Sequence, residues 1–149
     1  MSTPLFPRRR FLEVVAQGGA LVGTGAVRYG CAPSADTTFF AAGNLSQLQV
    51  GSLQVVPGEA LAIGRDSGGV YAMTLICTHA SCDMAARGSV SAQLVICDCH
   101  GSEFDGNGAV LHGPAQSPLE HFAVTISSTG DITVDADQTV EAEVRTAVA

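Results

Sequence analysis

Apolar and polar residues alternate with a period of two along much of the chain, and no long stretch keeps the 3.6-residue period of an amphipathic helix. Leu48, Val50, Leu53 and Val55 fall near alternation. Residues 61–63 and 70–76 flank Asp66, Ser67, Gly68 and Gly69, which reads as two strands joined by a hairpin turn. Residues 93–96 form another short apolar strand. Val110 and Leu111 follow Asp105, Gly106, Asn107 and Gly108; those residue types also occur in calcium loops, but a β-turn requires nothing more. Phe122, Val124 and Ile126 alternate with His121, Ala123 and Thr125, which places the apolar set inward and His121 on the outward face. A turn at Gly130 leads to residues 132–134. The last fifteen residues, acidic and alanine-rich, leave an edge strand, a short helix and a frayed tail all open.

Composition fits an all-β chain of tight turns. The 149 residues are 46% hydrophobic, with 17 glycines, 6 prolines and no tryptophan. That length is one ordinary domain. All seven basic residues are arginine, and four of them, Arg8, Arg9, Arg10 and Arg28, fall within the first thirty positions. From Asp36 onward thirteen acidic residues face Arg65, Arg87 and Arg145, a formal charge of −10. Such a surface is unsuited to nucleic acid or anionic lipid and suits a basic protein partner.

Arg8, Arg9, Arg10, Phe11 and Leu12 precede a mostly apolar run at residues 14–27, an arrangement that resembles a twin-arginine export signal. The uninterrupted apolar part is shorter than the ~20 residues of a membrane span and rich in glycine. The chain therefore divides into an export signal or anchor at 1–35 and an exported domain at 36–149. Three fates of the signal stay open: cleavage at residues 32–35, lipidation at Cys31, or retention as a membrane anchor. Cys31 follows Gly30, but Arg28 and Tyr29 stand where a lipoprotein signal carries small or aliphatic residues.

Four of the five cysteines and two of the four histidines fall into two clusters, Cys77-Thr78-His79-Ala80-Ser81-Cys82 and Cys97-Asp98-Cys99-His100-Gly101-Ser102, each directly after a predicted strand. Each offers a thiolate, an imidazole and one further cysteine. Two facing loops give a Cys₂His₂ site with two cysteines left over to bridge them. Structural zinc takes ligand pairs with two to five residues between them. Cys77 and His79 have one, a spacing better met by two metal atoms bridged by sulfide than by a single tetrahedral ion.

The two boxes resemble those of Rieske iron–sulfur proteins. The resemblance implies one [2Fe–2S] cluster with Cys77, His79, Cys97 and His100 as ligands, and a disulfide between Cys82 and Cys99, as in the bc-complex branch. Gly113, Pro114 and Ala115, followed by Pro118 and Leu119, are similar to the family's loop that covers the cluster. The resemblance runs over residues 55–134 and implies a small two-loop cluster subdomain, ending near Val110, inserted into a larger antiparallel base. Mixed Cys/His ligation places such clusters at about −150 to +300 mV.

Departures from the family pattern bear on the potential. Ser81 replaces the usual glycine of the first box, and Asp98 the usual proline of the second, which puts a carboxylate beside Cys97 that favours the oxidised cluster. Ser102 matches the serine that bonds a bridging sulfide. Phe104 stands at the tyrosine position and carries no hydroxyl. A mid-range potential is expected, suited to menaquinol or a dedicated partner. His112 and His121 read as surface histidines.

Three roles follow from the resemblance: the iron–sulfur subunit of a quinol–cytochrome bc-type complex, the small subunit of a molybdenum oxidoreductase resembling arsenite oxidase, or a free-standing electron carrier. The corresponding partners are a cytochrome b or c, a molybdenum subunit, or quinol, on the periplasmic side. A zinc-stabilised binding module is the non-redox alternative.

Overall fold

The computed structural model describes residues 38–148. Ten strands follow in order: β1 (Phe39–Asn44), β2 (Ser52–Val55), β3 (Leu61–Asp66), β4 (Gly69–Thr74), β5 (Gly88–Val90), β6 (Leu94–Cys97), β7 (Ser102–Asp105), β8 (Val110–His112), β9 (His121–Ile126) and β10 (Asp131–Val140). Among the described residues the one helical element is a 3-10 turn, Leu45–Gln47, capped by the Asn44 side chain.

The strands form two antiparallel sheets. A six-stranded base runs β1-β10-β9-β4-β3-β2, and a four-stranded lobe runs β5-β6-β7-β8. Strands β4 and β9 are direct neighbours, pairing Ala72 with Phe122 and Met73 with His121. The lobe is thus inserted between two adjacent strands of the base, as the resemblance implies, and its last strand runs to His112 rather than Val110. The predicted hairpin forms with Asp66 opposite Gly69, and the Asp66 carboxylate accepts the N–H groups of Gly68 and Gly69 at 2.7 and 3.2 Å.

Strand β4 is buried on both faces. Val70 and Ala72 enter one core with Leu61, Ile63, Ile132 and Val134. Tyr71 and Met73 point the other way, into a second core with Leu75, Met84, Val95, Phe104 and Leu119 that joins base to lobe. Double burial explains why residues 70–76 read as a continuous apolar run instead of alternating. The strand ends at Thr74, and Ile76 makes only an isolated bridge to Asp83. Phe104 is fully buried, and truncating such a side chain to alanine costs about 3–5 kcal/mol.

The same two-faced burial corrects the expectation for His121. It is 2% exposed, on the face it shares with Met73, with its ring 5.9 Å from that of Tyr71. Alternation assigned it correctly to the face opposite Phe122, but that face is covered by the lobe rather than by water. Val50 and Leu48 also depart from the reading: β2 begins only at Ser52, and Val50 sits in the preceding turn, 62% exposed. The C-terminal region resolves into strand β10, irregular between Asp135 and Thr139, and a returning arm in which Thr146 and Val70 exchange backbone hydrogen bonds of 2.9 and 2.8 Å.

Candidate metal centre

Two loops meet at the tip of the lobe. The first, residues 77–82, leaves the base after β4 and closes on itself, the Cys77 N–H donating to the Cys82 carbonyl at 2.8 Å and the Ser81 N–H to the Cys77 carbonyl at 2.9 Å. Ser81, with φ 54°, is the one non-glycine residue in the left-handed region among those described, a conformation costing an L residue about 1–2 kcal/mol. Asp83 fixes the exit by accepting the N–H of Ala85 at 2.8 Å. The second loop, residues 98–101, links β6 to β7, with Gly101 at φ 73° and its N–H on the Cys97 carbonyl at 2.9 Å.

A disulfide between Cys82 and Cys99 ties the loops together, so the two cysteines left over are the pair that the resemblance named. Their sulfurs and that of Cys97 all lie within 4.8 Å of one another. Cys77 and Cys97 are free and buried, at 2% and 0% exposure. His79 and His100 lie on the surface with their rings edge to face, centroids 4.8 Å apart. The site is therefore polarised, sulfur inside and imidazole outside.

Burial pushes the Cys97 thiol above its ordinary value, the facing Cys77 thiol adds to this, and the N–H groups of Cys99 and His100 directed at the sulfur oppose it. Two buried thiols facing each other, one already served by two backbone donors, form a donor set that gives up its protons on binding metal. N–H donors of this kind also moderate the charge of a bound iron–sulfur centre.

Residues after β8 cover the loops. Gly113, at φ 94°, lies against the Gly101 backbone, and a Cβ there would overlap the Gly101 carbonyl oxygen. The Ala115 N–H donates to the buried Ser102 hydroxyl oxygen at 3.2 Å, and Thr78 donates its hydroxyl to the Ser117 carbonyl at 2.6 Å. The cover thus touches both loops. Pro114, Asp98 and His112 are exposed, and Ala115 and Phe104 are buried. Residues 105–108 form a turn organised by Asp105, whose carboxylate accepts the N–H groups of Asn107 and Ala109 at 2.9 and 2.8 Å. Cys31 and the rest of residues 1–35 lie outside the described residues. No sequence signal had marked Thr78 and Ser117 as a tie, since one partner is a backbone carbonyl.

Residues 38–123 match the family described as the Rieske [2Fe-2S] domain. The chain belongs to the Rieske [2Fe–2S] domain family. Its cofactor is one [2Fe–2S] cluster, and the disulfide-bridged loops are those of a Rieske protein. The cytochrome b6-f complex iron-sulfur subunit of Chlorobaculum tepidum is 28% identical over 136 residues, 81% of this chain and 71% of that one. The corresponding subunit of Prochlorococcus marinus is 32% identical over 148 residues, 95% of this chain and 78% of its own. Against several other cyanobacterial subunits the chain spans under half of the relative's length. Among solved structures, the plasma membrane Rieske protein of Synechocystis PCC 6803 superimposes with a TM-score of 0.51 at 28% identity, covering 65% of this chain and 99% of that Rieske protein.

Proposed function

We propose that this Rieske protein carries single electrons as the iron–sulfur subunit of a quinol–cytochrome bc-type oxidoreductase. The observation that carries the reading is the disulfide-tied pair of loops with buried Cys77 and Cys97 and exposed His79 and His100. In a domain whose relatives are cytochrome b6-f subunits, these four side chains are the cluster ligands. Cys77 and Cys97 would hold the cluster from the buried side, and His79 and His100 from the exposed side. When bound, the cluster supplies a one-electron couple in the range of about −150 to +300 mV.

The protein's own groups then divide the work. Cys77 and Cys97 anchor the cluster in the second core, shielded from water. His79 and His100 present the electron-exchanging edge to the partner. Ser102 already accepts the Ala115 N–H, so its own proton would be left to donate toward the bound cluster, which would favour the reduced state. Phe104 offers no such donor, and the exposed Asp98 carboxylate opposes reduction, which together support a mid-range potential and a donor such as menaquinol. The cytochrome b6-f relatives favour this reading over a molybdenum-enzyme subunit, a free carrier or a zinc module.

Arg8, Arg9 and Arg10 ahead of an apolar run support export of the folded protein, with 1–35 as signal or anchor and 36–149 as the domain on the periplasmic side. Among the described residues no helix is long and apolar enough to cross a membrane.

Low-temperature electron paramagnetic resonance of the dithionite-reduced protein, purified after export with its metals counted, tests the proposal. A rhombic spectrum of low average g with two irons per chain is expected. A silent sample holding one zinc per chain overturns it.

A further inference from the structure

The returning C-terminal arm carries Arg145, whose side chain is 14% exposed in a domain otherwise dominated by surface carboxylates. Its Nε donates to the Asp66 carboxylate at 2.6 Å, in the β3–β4 hairpin of the base. Its Nη2 donates to the Asn107 side-chain oxygen at 2.7 Å, in the β7–β8 turn of the lobe. Nη1 is spent on the arm itself, bonding the Ala142 and Val144 carbonyls at 2.6 and 3.0 Å. The guanidinium carbon lies over the Tyr71 ring, 4.1 Å from its centroid. Only a rigid fork with several donors serves three segments and an aromatic face at once; an ammonium does not.

Tyr71 reinforces the same junction. Its ring lies across Gly64 on the paired strand, where any side chain would collide with it, and its hydroxyl donates to the Gly106 carbonyl at 2.8 Å. Both ties from the base therefore end on the turn at residues 105–108. That turn leads back to the metal loops. Gly108 accepts the Leu119 N–H at 2.9 Å and packs against Leu119 and Met73 so closely that a Cβ has no room. Two residues earlier, the Ser117 carbonyl takes the hydroxyl of Thr78, between Cys77 and His79.

We infer that Arg145 is a positioning residue: it clamps the β7–β8 turn to the base and, through Gly108, Leu119 and Ser117, holds the cover segment on the loop that presents His79. A looser cover admits water to the cluster edge and changes how strongly the Ser102 and backbone donors engage it. Two single variants carry the test.

Asn107→Ala removes the lobe arm of the clamp while leaving the Asp66 pair and the Tyr71 stack in place, and Arg145→Lys keeps the charge but reaches one partner at a time. Both are expected to speed amide hydrogen exchange at Leu119 roughly tenfold and to move the midpoint potential of the cluster-loaded protein. The shift in potential is what a residue that merely anchors the tail does not produce. An unchanged potential in Asn107→Ala, with the cluster intact, overturns the inference. Placing the effect at the cluster rests on the ligand assignment above. If the wild-type protein lacks the Rieske spectrum, that assignment fails by itself, and the Leu119 exchange rate alone then decides for or against the clamp.

Discussion

Gly113 presses its backbone against that of Gly101, so the cover segment and the second metal loop touch without an intervening side chain. Both residues take left-handed φ, 94° and 73°, and only Gly113 has no space for a methyl group. Gly113→Ala is expected to cost at least about 2 kcal/mol, from the strained φ and the overlap together. It should also expose the cluster edge, read as a lower urea midpoint and faster bleaching of the visible spectrum in air. Gly101→Ala, strained in φ but free of any clash, should cost about 1 kcal/mol.

Cys82 and Cys99 close a loop with a sequence separation of 17. Chain-entropy arithmetic for a loop of that length gives about 3 kcal/mol of stabilisation. The double variant Cys82→Ser, Cys99→Ser is expected to unfold at a correspondingly lower urea concentration and to lose iron faster to a chelator. Equal midpoints for the variant and the oxidised parent would show that the packed cores alone hold the tip together.

Phe104, fully buried on β7 two residues after Ser102, stands where the family resemblance implies a tyrosine hydroxyl bonded to a ligand sulfur. Phe104→Tyr is expected to raise the midpoint potential by about 40 mV, the one-electron equivalent of a net hydrogen bond of about 1 kcal/mol that favours the more negative, reduced cluster. Protein-film voltammetry reads the shift, and the paramagnetic spectrum confirms that the cluster is intact.

Burial holds the His121 imidazole below its ordinary value of 6.5; the Arg145 charge adds to this, while the Leu119 carbonyl on Nδ1 works against it. Its Nε2 is buried without a partner. Just below pH 6.5 the unfolded chain therefore binds more protons than the folded one, and stability falls as the pH drops through that window. His121→Phe, which keeps an aromatic ring beside Tyr71, should flatten the difference in urea midpoint between about pH 7.5 and 5.5. An undiminished pH dependence in that variant would assign the effect to other groups.

The two cysteine–histidine boxes and the strand pattern were legible because both are local. Cys77 to Cys82 and Cys97 to Ser102 are each six consecutive residues whose types are rare enough in that order to carry their own meaning, and alternation at Phe122, Val124 and Ile126 needs only the neighbouring positions. What the sequence withheld was which faces are covered. His121 alternates like an outward residue, and the lobe that buries it is formed by a separate sheet. Arg145 stood out in the sequence only as one of three arginines after Asp36. Its partners Asp66 and Asn107 lie 79 and 38 positions away, and no short-range pattern encodes a meeting across such distances.

The lobe leaves the base after Thr74 and comes home at His121, where the Thr74 N–H donates to the Glu120 carbonyl at 2.9 Å. The ends of a long excursion are thus stapled side by side by the base itself, which absorbs a loop-closure entropy of roughly 3 kcal/mol. The tip is accordingly a tethered loop with both ends fixed on one pair of base strands. Because Cys77 and Cys97 share a core with Met73 of the base and Phe104 of the lobe, whatever happens at the tip is felt by side chains that also hold the two sheets together.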